Sequence, residues 1–212
     1  MTVIAGEEMV LLPDRAMFWP AESTLFVADI HLGKGSAFRA GAIPVPTGVT
    51  KGTLDRLCAV VREIDPKRIV ILGDLWHARA GRTEQSEAEF LAWRERHSDR
   101  EVWLVEGNHD RKSGILPSSH GLKVLMEGER LGPFTLLHEP SEPAEGYGLA
   151  GHLHPGARLV GRGDSGLTAP CFWVRKRYAV LPAFGEFTGT SRIRPTTLDQ
   201  VFLLASDRVL EV

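Results

Sequence analysis

Five segments of this chain place Asp, Asn or His at or just beyond the end of an apolar or Gly-rich run. Leu25-Phe26-Val27-Ala28 leads into Asp29-Ile30-His31, and Arg68-Ile69-Val70-Ile71-Leu72 leads into Gly73-Asp74. Val102-Trp103-Leu104-Val105 is followed one residue later by Gly107-Asn108-His109-Asp110. Phe134-Thr135-Leu136-Leu137 runs into His138, and Gly151-His152-Leu153-His154 lies just beyond a Gly-rich stretch. Short apolar runs bounded by Gly and polar residues read as buried strands. A chain built this way must bring several strand ends to one edge, because open α/β sheets collect ligands at the carboxyl ends of their strands.

The remaining pattern fills in that frame. Residues 1–12 read as a short hairpin turning at Gly6-Glu7-Glu8. Residues 29–50 read as a long polar loop in which Pro44 and Pro46 block regular helix, and long loops in compact domains are usually functional. Leu54, Leu57, Val60, Val61 and Ile64 recur at helical spacing and predict an amphipathic helix over residues 53–64, stopped by Asp65-Pro66. Residues 83–97 predict a second helix, with Thr83 as N-cap and Phe90 and Trp93 on its apolar face. Strand, helix, strand, helix, strand implies a βαβ core. Short strands at 122–126, 134–137, 149–150, 157–160, 171–178 and 201–204 make the second half β-rich. No linker, repeat or low-complexity segment interrupts the chain, so residues 1–212 read as one domain.

Bulk properties exclude several classes. At 212 residues, 43% hydrophobic and 25% charged, the chain is an ordinary globular length and composition. No apolar run is long enough for a bilayer and no secretory signal is visible, so the expectation is a cytoplasmic protein without membrane contact. Cys58 and Cys171 do not make a disulfide framework; Cys58 reads as a small buried apolar residue. A net charge of −2 argues against coating nucleic acid by bulk electrostatics. From Ala150 onward, however, eight Lys or Arg face five Asp or Glu, a local +3.

Carboxylate and imidazole together suit Mn, Fe and Zn, and no cysteine sits beside the motifs to suggest a thiolate zinc site. His152 and His154 alternate, so on a strand both would share one face. The order D-x-H, G-D, G-N-H-D, H, G-H-x-H, spread from Asp29 to His154, resembles the calcineurin-like metallophosphoesterases. Further strings resemble one branch of them, the bacterial ligase-associated DNA-damage-response endonucleases. These are Asp29-Ile30-His31-Leu32-Gly33-Lys34 with Phe38-Arg39, residues 147–158, and Leu181-Pro182-Ala183-Phe184-Gly185-Glu186-Phe187-Thr188-Gly189. The resemblance implies an α/β fold of two face-to-face β-sheets flanked by helices, and two divalent metal ions, Mn first with Fe or Zn as alternatives. It implies that Asp29, His31 and His154 hold one ion, that Asn108, His138 and His152 hold the other, and that Asp74 bridges them. His109 would then be the proton donor to the leaving group, with Asp110 orienting it through the other ring nitrogen. The implied reaction is phosphodiester hydrolysis, with DNA as substrate and a ligase, helicase and exonuclease as repair partners.

Each residue also has a plainer reading. Asp74 alone suits a helix N-cap, Asn108 a left-handed turn beside Gly, and His138 a satisfied core histidine. Lys34, Arg39 and Arg79 sit in loops after the motifs and could contact phosphate, or could be solvated loop charges. His77 could sit behind the ligands or pack against Trp76, and is not expected to be a ligand itself. Arg175-Lys176-Arg177 reads as part of an amphipathic strand, and His97 and His120 as surface residues. Arg158, Arg162, Arg192 and Arg194 could widen a nucleic-acid surface. No base-reading motif or stacking platform for single strands is visible. A small-molecule phosphodiesterase or phosphatase, and a non-catalytic repair scaffold, are the competing functions.

Overall fold

Residues 69–72 are all Ile, Val or Leu and are buried on both faces, as parallel strands covered from two sides must be, and residues 102–105 repeat the pattern with Trp103 partly buried. The computed structural model describes residues 1–160 and 166–212. Its first sheet contains β1 (Thr2–Ile4), β2 (Glu7–Leu12), β3 (Ala16–Trp19), β4 (Thr24–Val27), β5 (Arg68–Leu72), β6 (Glu101–Val105) and β7 (Lys123–Leu125), in that spatial order. β1 to β4 pair antiparallel and β4 to β7 parallel. Helices α1 (Lys34–Ala40), α2 (Val49–Ile64), α3 (Glu84–Arg96) and α4 (Asn108–Ser113) connect the parallel strands.

The second sheet is built from β8 (Arg130–Leu131), β9 (Phe134–Leu136), β10 (Tyr147–Ala150), β11 (Pro155–Val160), β12 (Gly166–Val174), β13 (Tyr178–Val180), β14 (Ser191–Arg192), β15 (Gln200–Leu204) and β16 (Val209–Glu211). Its path is β14-β11-β12-β13-β10-β9-β8, and β15 adds to β12 and carries β16. β10 runs parallel to both its neighbours, so its last residues point the same way as the ends of β9 and β13.

Strand alternation gives the first sheet one core on each of its faces. Phe26, Val70 and Leu72 point toward the second sheet and meet Phe134, Leu149, Phe172 and Leu181. Leu25, Val27, Ile69 and Ile71 point the other way and meet Leu54, Leu57 and Val61 of α2 and Phe90 and Trp93 of α3. Burying each such side chain contributes roughly 1.5–3 kcal/mol. The two face-to-face sheets therefore share one core while the helices cover the far side of the first sheet. The strand ends that carry the polar motifs emerge along one edge of this sandwich.

Several local expectations need correction. The segment 29–50 contains α1, because Pro44 and Pro46 fall after the helix has ended at Ala40 and do not obstruct it. α2 starts at Val49, behind the left-handed Gly48. The first hairpin turns at Ala5-Gly6, both in the left-handed region. Residues 171–178 are not one strand: Arg175 N–H donates to the Tyr178 carbonyl and closes a turn at the basic triplet. His120 is buried, with its Nε2 2.7 Å from Glu87 and its ring 5.0 Å from Phe90. Cys58 is only partly buried, with its sulfur 3.2 Å from His97 Nε2.

Candidate metal centre

The loops after β4 and β5 continue the parallel pairing beyond the strands themselves. Asp29 N–H donates to the Gly73 carbonyl, His31 N–H to the Asp74 carbonyl and Leu32 N–H to the Leu75 carbonyl. Asp29, His31 and Asp74 all sit at positive φ, at 52°, 51° and 53°. From the second sheet, His152 and His154 do the same at 68° and 47°. Such non-glycine positions cost about 1–3 kcal/mol each and persist where surrounding structure holds them. Here the holders include the clustered carboxylates themselves: His152 N–H donates to Asp29 Oδ2 at 2.8 Å and His109 N–H to Asp74 Oδ1 at 2.9 Å. Gly73 is required by space as well as by its φ of 82°, since a Cβ there would lie 1.9 Å from His138 Nδ1.

Two clusters of side chains result. In one, His31 Nε2 lies 3.2 Å from His154 Nε2, and His154 Nε2 lies 3.7 Å from Asp29 Oδ1. In the other, His138 Nε2 lies 3.0 Å from Asn108 Oδ1 and 3.1 Å from His152 Nδ1. The Asp74 carboxylate stands between them, with Oδ1 3.5 Å from His138 Nε2 and Oδ2 3.9 Å from His31 Nε2. Seven residues expected from the sequence to be ligands are thus brought together, in the two groups the resemblance implies.

The chemistry of this donor set fits cations. His138 Nδ1 donates to the Leu72 carbonyl at 3.1 Å, which turns its Nε2 toward Asn108 Oδ1, Asp74 Oδ1 and His152 Nδ1. Asp29 Oδ1 is buried with no hydrogen-bond partner. Converging lone pairs and an unpaired buried carboxylate oxygen are unfavourable unless positive charge lies among them. Burial first, then the facing His154 and Lys34, holds the His31 imidazole far below its ordinary value, in the neutral form that binds metal. Burial raises the Asp74 carboxyl, opposed chiefly by His138.

His109 stands beside both clusters. Its Nδ1 donates to the His77 carbonyl at 2.6 Å, which directs Nε2 inward to 4.0 Å from Asp74 Oδ2. Asp110 does not orient it. The Asp110 carboxylate accepts from Trp76 N–H at 2.9 Å and Gly107 N–H at 3.0 Å, tying the β5 and β6 loops together. Burial pushes that carboxyl up to about 6. Sequence reasoning failed here because an adjacent Asp is a natural partner for a His, whereas the turn into α4 sends the two side chains to different neighbours.

His77 comes closer than expected. Its ring stacks on His109 at 5.0 Å and 19°, and with His31 and His109 it forms a third group of converging ring nitrogens. Burial, then Lys34, lowers it to about 4. Its spacing of three from Asp74 was the only signal for it in the sequence.

Lys34 opens α1 next to the cluster, and burial lowers its ammonium against the pull of Asp29 and Asp74. Arg39 does not reach the cluster: its guanidinium holds the carbonyls of Val45 and Pro46 and the Ser36 hydroxyl. Arg79 is exposed on a 3-10 turn packed near α4. Arg158, Arg192 and Arg194 are exposed, and β14 pairs with β11 so that Arg192 stands opposite Gly156, two residues before Arg158. Arg162 lies outside the described residues.

No curated protein sequence matches the chain. Among solved structures it is similar to a nuclease MPE from Pseudomonas putida, with 40% identity, 98% of this chain and 96% of that one covered, and a TM-score of 0.86. Residues 23–206 match the family model described as calcineurin-like phosphoesterase. A match over that span, on a sandwich whose strand ends assemble these Asp, Asn and His side chains, makes the chain a member of the calcineurin-like phosphoesterases and a metal-dependent hydrolase of phosphoesters.

Proposed function

We propose that this phosphoesterase is a two-metal phosphodiesterase that cleaves DNA and serves in DNA repair. The observation that carries the reading is the similarity to a nuclease over 98% of the chain at 40% identity. Asp29, His31 and His154 would hold one ion, Asn108, His138 and His152 the other, and Asp74 both, each of its oxygens facing one group. Mn is the first choice of metal, with Fe or Zn as alternatives. Such ions supply an acidified water and positive charge for the phosphate oxygens. His109 hands a proton from Nε2 to the departing oxygen while the His77 carbonyl keeps Nδ1 fixed. Lys34 steadies a phosphate oxygen at the mouth of the cleft. Arg158, Arg192 and Arg194 guide the flanking backbone. A ligase, a helicase and an exonuclease are the repair partners we assign, in the cytoplasm, with residues 1–212 acting as one domain. No helix among the described residues is long and apolar enough to cross a membrane.

The test is a side-by-side assay of Mn-loaded protein on supercoiled plasmid, single-stranded DNA, cyclic nucleotides and a chromogenic phosphodiester. Cleavage of either DNA is the expected result. Intact DNA together with rapid turnover of a nucleotide-sized diester would replace this reading by the small-molecule one.

A further inference from the structure

Phe187 is the single exposed aromatic side chain among the described residues, at 55% exposure; every other Phe, Trp and Tyr is buried or half-buried. It also has φ 56°, the left-handed region that a bulky residue rarely occupies. A large apolar ring that is both exposed and backbone-strained contributes little to a core, so packing does not explain it.

Its position does. Gly185 N–H donates to the Asp29 carbonyl at 3.0 Å, and Ser191 N–H donates to the His154 carbonyl at 2.9 Å. Residues 186–190 therefore form a short loop whose two stems are each bonded to the main chain of a residue in the same cluster. The neighbouring Glu186 carboxylate turns inward, where a Cβ on Gly52 of α2 would meet its Oε2 at 3.2 Å. Thr188 Oγ1 donates back to the Gly185 carbonyl at 2.7 Å and helps fix the turn. Just past the loop, Arg192 and Arg194 are exposed and can follow a phosphate backbone.

We infer that Phe187 is a stacking platform for an unpaired nucleobase next to the scissile phosphate, so that it selects single-stranded over duplex substrate. The inference rests on the nuclease reading above. Base-on-aromatic stacking is sequence-tolerant and is worth about 1–3 kcal/mol per base, or about 5- to 150-fold in binding. A paired base is already stacked in its helix and cannot reach the ring without being turned out.

The experiment compares wild type, Phe187→Ala and Phe187→Trp, all Mn-loaded, on single-stranded oligonucleotide, supercoiled plasmid and methyl nitrophenyl phosphate. A fourth substrate is an oligonucleotide with one abasic position scanned across the cleavage site. Phe187→Ala should raise KM for the single strand about tenfold relative to the small ester. Phe187→Trp should retain wild-type KM. One abasic position should cost wild type a similar factor and cost Phe187→Ala nothing further, since the two changes remove the same contact. An equal loss on the small ester, or additive losses at every abasic position, would overturn the inference while leaving the nuclease reading intact. Wild-type protein that cleaves neither DNA substrate defeats the nuclease reading itself.

Discussion

Asp74 meets two demands with one carboxylate, since each oxygen faces a different imidazole cluster while Oδ1 also accepts the His109 main-chain N–H. Asp74→Asn keeps the shape but replaces one anionic oxygen by an amide donor. Metal content per chain and rate should both fall, with turnover down by at least about 10²-fold; near-normal values of both would exclude the bridging role. His109 separates binding from chemistry, because its Nε2 lies near the cluster but the residue is outside the two ligand groups. His109→Ala should retain bound metal and lose about 10²–10⁴-fold in rate on a poor leaving group. The loss should shrink sharply on a nitrophenyl ester, whose leaving group needs little protonation. An equal loss on both substrates would remove His109 from proton transfer.

At the scale of elements, the loop between α4 and β7 folds back so that His120 packs between Trp76 and Phe90 and reaches Glu87. Burial, outweighing Glu87, holds His120 below its ordinary value of 6.5. The unfolded chain therefore takes up the proton first, and stability present above pH 6.5 is lost as pH falls below it. His120→Gln keeps a donor for Glu87 without the titration. Its unfolding free energy should fall less steeply than that of wild type on going from pH 7 to pH 5; parallel curves would show that His120 is not responsible. This burial was invisible in the sequence because a histidine in a Ser-, Gly- and Pro-rich loop carries no apolar periodicity. The βαβ elements were legible because Val, Ile and Leu runs report burial on both faces. The basic triplet 175–177 misled in the opposite direction, since side-chain alternation continued smoothly through what is a turn. In the centre, the clustering of Asp, Asn and His side chains could be read from strand-end motifs. The partner of His109 and the exposure of Phe187 could not, because both depend on backbone conformation at single residues.

For the molecule as a whole, the candidate ligands come from both sheets: Asp29, His31, Asp74 and Asn108 from the ends of first-sheet strands, and His138, His152 and His154 from the second. Ions bound there should raise thermal stability by mass action, about 2.7 kcal/mol at a concentration 100 times Kd. The melting temperature should therefore climb with Mn and drop with a chelator, and an unchanged melting curve would exclude binding at this edge. The left-handed backbone at five of the seven candidate ligands gives this arrangement a temporal meaning. His31 and His154 are 123 positions apart in the chain, so their contact can form only once the two halves have come together. The centre then behaves as a clasp across a seam. A nascent or damaged chain whose sheets are misaligned cannot fasten it, and it would have neither the stabilising ions nor the hydrolytic activity. For a phosphoesterase, that is a built-in safety interlock: hydrolytic competence arrives last, with the completed fold.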